Sequence, residues 1–209
     1  MQKNHSGRER AYAHIRNVIL TDPAMIGTFL NERKIAETLE ISRTPVREAL
    51  LILASEELIT LMPNRGAFVT PPDLRKITQL LQARGMIEVW SAQYCLQHDI
   101  DPTAAMRKEL EKQHALPADT SFITFIEHDT AFHRTLIQAT GNTIVQQMYE
   151  SLHARHVIFG VYAMRNMTER NIQVLQEHQD ILDAFATRDL HQVRTAILKH
   201  LEKTGETFR

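Results

Sequence analysis

Pro71-Pro72, followed by Asp73, limits more than any other feature how this 209-residue chain can fold. Consecutive prolines end helices and remove donors from sheet ladders, and the residue pattern changes across the pair. From Arg8 to Thr70 the elements are short. A helix is expected over Ala11 to Leu20, a second over Glu32 to Leu39 and a third opening at Thr44-Pro45. Two brief runs, Leu58 to Met62 and Ala67 to Thr70, read as strands. From Leu74 onward apolar residues recur with the helical period, and no alternating Val/Ile-rich run appears. The pattern predicts six helices, over about 74–97, 102–115, 120–139, 143–163, 168–187 and 190–206. The expected fold is mainly α: an N-terminal winged helix-turn-helix over residues 8–70, then an all-α helical bundle over 74–206.

Composition removes several function classes. A single cysteine, Cys95, excludes an internal disulfide and a cysteine-cluster zinc site. No apolar run approaches the roughly 18–20 residues of a membrane span, and the opening MQKNHSGRER lacks a signal-peptide core, so a cytoplasmic location with no membrane partner is expected. A formal charge of −1 argues against bulk electrostatic attachment to nucleic acid, so any DNA contact must be local. The unusual count is eleven histidines.

The local contact has an obvious candidate. Asn31 can cap the helix that follows it, and a few residues after that helix come Ser42-Arg43-Thr44-Pro45-Val46-Arg47-Glu48-Ala49-Leu50. Thr44 suits an N-cap and Pro45 the first helical position. A second helix whose first turn offers Ser42, Arg43, Thr44 and Arg47 is what a helix-turn-helix needs, because that turn enters the major groove. Pro63-Asn64-Arg65-Gly66 would be the tip of a β-hairpin wing, with Arg65 placed for a phosphate or minor groove.

In these residues the chain resembles the GntR transcriptional regulators. The matching stretches are Leu30-Asn31-Glu32-Arg33-Lys34-Ile35-Ala36, Ile41 to Leu50, Glu57-Leu58-Ile59 and Arg65-Gly66, whereas Thr21 to Ile26 departs from the usual Gly/Pro-rich turn. The resemblance implies that Arg33, Arg43, Thr44, Arg47 and the wing around Gly66 contact DNA. Modest affinity per copy then implies a homodimer reading a short palindromic double-stranded operator.

The helical region carries polar residues on its apolar stripes. One stripe runs Phe125, Ile126, Asp129, Phe132, His133, Leu136; a later one holds Leu175, His178, Ile181, Leu182, Phe185; the last holds Val193, Ile197, His200, Leu201. Asp129 and His133, four apart, share a helix face. An isolated buried carboxylate is too costly to keep charged, and three imidazoles with a carboxylate around one divalent ion would satisfy all four. The competing reading is a hydrogen-bonded core, and His156 is the main rival ligand.

This region is similar to the ligand-sensing (FCD) domain of the FadR subfamily of GntR regulators, in its six-helix, VanR-type form. Asp129-Thr-Ala-Phe-His133, Gly141-Asn142 and Glu177-His178-x-x-Ile181-Leu182-x-Ala184 carry the similarity. It implies a divalent metal, zinc first, with nickel or manganese open, on Asp129, His133, His178 and His200. A small carboxylate effector could take the remaining positions, with Arg84, Arg155 and the Asn142 amide as candidate contacts; Arg84 could instead pair with Glu88 on the surface. The expected function is a DNA-binding regulator, a repressor, tuned by that effector, with the stiff Pro71-Pro72 join transmitting the change. The alternatives are a purely structural metal, a directly sensed metal, or a metal-dependent hydrolase or lyase. No general base beyond the ligands, nucleophile motif or phosphate loop supports an enzyme.

Overall fold

A computed structural model describes residues 6–71, 73–166 and 169–208. Pro72 and the Met167-Thr168 break therefore lie outside the described residues. The chain divides into two compact units, Met1–Pro72 and Asp73–Arg209.

The first unit opens with α1 (Gly7–Thr21), closed at its N-terminus by a capping box. Ser6 Oγ accepts the Glu9 N–H while the Glu9 carboxylate accepts the Ser6 N–H. Ala11, Ile15, Ile19 and Leu20 are its buried face. A 3-10 turn (Pro23–Met25) leads to β1 (Phe29–Leu30), then α2 (Glu32–Thr38), α3 (Arg43–Ser55), β2 (Ile59–Met62) and β3 (Gly66–Val69). Asn31 caps α2 as expected, accepting the Lys34 N–H. α3 begins earlier than the sequence indicates: Ser42, not Thr44, is its N-cap, and no side-chain bond supports it. Pro45 thus sits third in the helix, where its missing N–H is harmless because first-turn donors lack intrahelical acceptors anyway.

β2 and β3 form the expected antiparallel hairpin, with Ile59 opposite Val69 and Met62 opposite Gly66. Asn64 (φ 61°) and Gly66 (φ 95°) supply the left-handed residues of its tip. The sheet has a third strand that the sequence does not show. β1 pairs with β3, giving the order β1-β3-β2, and two residues are too short to display alternation.

The second unit is helical: α4 (Leu74–Gln97), α5 (Thr103–His114), α6 (Phe122–Ala139), α7 (Thr143–Glu150), α8 (His153–Asn166), α9 (Arg170–Ala186) and α10 (Leu190–Glu206). The expected 143–163 helix is two segments. Ser151 caps the first segment, its N–H still donating to Gln147 O, and Leu152 leaves the helical ladder, its N–H donating three residues back to Tyr149 O; Ser151 Oγ bonds Met148 O, the local competition that makes serine a poor mid-helix residue. Phe132, Leu136, Ile181, Leu182, Val193 and Ile197 anchor the core. At Gly160 an added Cβ would lie 2.8 Å from Ile126, so the glycine allows α8 to approach α6 closely. That approach sets His156 against α6.

Candidate metal centre and DNA-contacting surface

In the first unit, α2 and α3 are joined by a tight turn in which Glu40 adopts φ 53° and Ile41 N–H donates to Ala36 O. Ser42, Arg43, Thr44 and Arg47 are all exposed on the start of α3. Arg47 Nε is 2.9 Å from Glu32 and Arg33 Nε 3.4 Å from Glu37. Pairs this exposed are worth about 1 kcal/mol or less, so neither holds its arginine away from a phosphate or base. Arg65, at the hairpin tip, lies 5.6 Å from the Phe29 ring of β1. The strand missed in the sequence therefore supports the wing arginine.

In the second unit, Asp129, His133, His178 and His200 are all buried, and one ligand atom from each lies within 4.8 Å of the others. Metal ligands about 2.1 Å from one ion sit about 3.0 Å apart when adjacent and about 4.2 Å when opposite. Each imidazole turns its Nδ1 to an oxygen: His178 to Gln113 Oε1 (2.9 Å), His200 to Glu177 Oε2 (2.8 Å) and His133 to Glu88 Oε2 (3.0 Å, off the ideal hydrogen-bond direction). Nδ1 facing an oxygen fixes the proton there and leaves the Nε2 lone pair for a cation. The Nε2 atoms of His133 and His178 are buried with no hydrogen-bond partner. His178 Nε2 is 3.2 Å from Asp129 Oδ1, yet not aligned as a hydrogen bond, so the two sit side by side as neighbouring ligands do.

His156 completes the case. Its Nε2 lies 2.6 Å from Arg84 Nη1 and 3.2 Å from Asp129 Oδ2, and its Nδ1 lies 3.1 Å from Thr130 Oγ1. Thr130 donates its own hydroxyl to Ile126 O, and arginine can only donate, so His156 Nε2 accepts from Arg84 and Nδ1–H donates to Thr130. Asp129 thus faces lone pairs at both His156 and His178. A cation resolves this arrangement, and the donor set of three imidazoles and one carboxylate fits a divalent metal.

Charges around the centre are paired outward. Glu88 is held by Arg84 (2.8 Å), and Glu177 by Arg170 through two bonds of 2.7 and 2.9 Å. Burial works to raise the Glu177 carboxyl, but His200 and Arg170 outweigh it and bring its pKa to about 2. Burial is also the first cause pulling His133, His178 and His200 below the ordinary histidine value, which favours the neutral form a metal requires. His156 falls to about 4, by burial and then by the charge of Arg84.

Of the three expected effector contacts, Arg84 is at the centre. Its pair with Glu88 exists but is buried, not superficial, and its Nη2 has no hydrogen-bond partner. Asn142 is a helix cap, its Oδ1 accepting the N–H groups of Ile144 and Val145. Arg155 is half-buried on α8, one residue and so about 100° around the helix from His156.

Both units match known families. Residues 8–69 match the model of bacterial regulatory proteins of the gntR family, and residues 79–203 match the FCD domain. The chain belongs to the GntR regulators that carry an FCD domain. A gluconate operon transcriptional repressor of Bacillus subtilis is 29% identical over 90% of this chain and 79% of its own length. The transcriptional repressor RspR of Escherichia coli is 26% identical over 96% and 88%. Among solved structures, a GntR regulator from Rhodococcus sp. RHA1 superposes with a TM-score of 0.77 at 22% identity, covering 97% of both chains. This GntR protein is accordingly a DNA-binding transcriptional regulator, not an enzyme. No helix among its described residues is long and apolar enough to cross a membrane.

Sequence reasoning found the four clustered residues but not the shell behind them. Gln113 and Arg170 went unmarked, and Glu177 registered only as a neighbour of His178. Glu177 lies one position before His178 and Gln113 on another helix; only buried polar residues in an apolar stripe would have signalled them.

Proposed function

We propose that this GntR regulator is a repressor whose operator affinity is set by a small carboxylate bound at a divalent ion, zinc in the first instance, on Asp129, His133, His178 and His200. The observation that carries it is the cluster of inward Nε2 lone pairs around a buried Asp129 whose nearest nitrogens offer it no proton. Three histidines and one carboxylate leave positions free on a five- or six-coordinate ion. The unpartnered Nη2 of Arg84 supports an anionic occupant beside them. Gluconate is itself a small hydroxy acid, and the Bacillus subtilis relative's name puts it first in a ligand panel.

On the DNA side, Ser42, Arg43, Thr44 and Arg47 read the major groove from α3, Arg33 reaches a phosphate from α2, and Arg65 with Gly66 forms the wing. Two copies read a palindrome, because two equal contributions bring one module's modest affinity to a useful range. An effector acts only if it favours one arrangement of the dimer over another.

The test is operator binding by the full chain, apo and zinc-loaded, with and without a panel of hydroxy and keto acids. A tenfold or greater shift that requires both metal and acid, and disappears in Arg84→Gln, is the expected result. A shift with metal alone makes the ion the signal. No shift under any condition makes the ion structural, and either outcome overturns the effector.

A further inference from the structure

We infer that the centre of the bundle admits a monoanion and excludes a dianion of the same shape, and that Glu177, one imidazole behind the proposed ion, sets this limit. This rests on the proposed effector and names its charge.

Five charged side chains, histidines aside, are buried among the described residues: Arg84, Glu88, Asp129, Arg170 and Glu177. All five belong to this centre. Glu88 stands behind His133 and is matched by Arg84; Glu177 stands behind His200 and is matched by Arg170. Arginine keeps its proton in a protein, so each pair is neutral as a unit. The third imidazole, His178, turns to Gln113, an amide that needs no counter-ion. The imidazoles add no charge, because each offers a lone pair to the ion or, at His156, to Arg84. Burial keeps the Tyr149 phenol neutral. Lys203 lies 3.5 Å from Glu177, but its side chain is 42% exposed and water screens it. Asp129 is left as the one unmatched buried charge. A divalent ion therefore turns a surplus of one negative charge into a surplus of one positive charge. Net charge in a closed interior is costly, and one monocarboxylate removes it. A dianion puts an uncompensated negative charge back at the same depth.

Donor supply limits the site in the same way. Arg84 Nη2 is buried without a hydrogen-bond partner and can take one carboxylate. Arg170 is already engaged: Nη1 bonds Glu177 Oε1, while Nη2 bonds Glu177 Oε2 and Thr204 Oγ1. No other arginine or lysine is buried among the described residues, so a second carboxylate meets no free buried cation.

Titration calorimetry on the zinc-loaded full chain tests this with two matched pairs, glycerate against tartronate and gluconate against glucarate. Within each pair the far carbon is a hydroxymethyl in one acid and a carboxylate in the other. Helix content and zinc load are recorded for every sample, so neither unfolding nor removal of zinc by a dianion is read as preference. Wild type should bind each monoanion about tenfold or more tighter than its dianion, the effect of one unit charge at about 8 Å in a medium of effective dielectric constant about 20. Glu177→Gln leaves Arg170 unmatched and should shrink that ratio about tenfold. Arg170→Gln/Glu177→Gln removes both charges and should return the ratio to within about threefold of wild type. The wild-type ratios decide the limit even where the single variant fails to fold. Dianions bound as tightly as monoanions by wild type overturn the limit while the effector stands. A ratio equal in the single and double variants overturns the part given to Glu177. None of the four acids binding while zinc is in place overturns the effector reading itself.

Discussion

The arginine–glutamate pairs of the two units are chemically alike and physically opposed. Arg47–Glu32, joining the starts of α3 and α2, is open to solvent, whereas Arg84–Glu88, inside the bundle, is closed to it. Water weakens the first to a contact that a phosphate can displace at little expense. The second exists because each charge would be intolerable without the other. Position in the fold, not residue type, therefore decides whether an arginine is available to DNA or committed to the protein.

The sharpest way to break this comparison is to remove one member of each pair. Arg84→Ala should destabilise the bundle by about 3–5 kcal/mol in urea unfolding, since Glu88 is left charged and buried. Equal effects for Arg84→Ala and Arg47→Ala would dissolve the distinction.

Acid should act in the same direction on the metal-free protein. His156 has its folded pKa lowered to about 4 from an ordinary 6.5, so between these values only the unfolded chain takes up the proton. Its contribution is present above about pH 6.5 and is lost as the pH falls to about 4, amounting to roughly 3 kcal/mol. Glu177, lowered from 4.5 to about 2, extends the loss further into acid. Urea midpoints from pH 7 to pH 4 follow this, and His156→Gln should make the upper part of the profile less steep, leaving the share of His133, His178 and His200, which burial also lowers.

Gly160→Ala should cost about 1–3 kcal/mol in the same assay, because the new methyl meets Ile126 at 2.8 Å and packed cores yield little. The smallest effect on stability is expected at the DNA surface. Arg47→Ala should change it by about 1 kcal/mol or less, while weakening operator binding by about 1–3 kcal/mol in a fluorescence-anisotropy titration.

The same contrast explains what could be read from the sequence. Surface chemistry is local, so Ser42 to Arg47 and the hairpin around Arg65 were legible as a block, as was the cap at Asn31. Periodicity gave the inward positions of Asp129, His133, His178 and His200, because a polar residue interrupting an apolar stripe is visible without coordinates. Their partners were less legible. Gln113 reaches His178 from a helix sixty-five positions away, and Arg170 reaches Glu177 and Thr204 across turns and helices. Such pairings depend on how helices cross, which a single stripe does not encode. Strand β1 and the break at Ser151 escaped for a different reason: both are shorter than the period needed to detect them.

Metal content measures the central claim most directly. Wild type and His178→Ala/His200→Ala, purified side by side without chelator, should differ in elemental mass spectrometry. About one zinc, nickel or manganese per wild-type chain and none in the variant is the predicted result. A wild-type chain free of metal, or a variant that retains the same amount, would contradict the account and return the inward histidines to a hydrogen-bonded core.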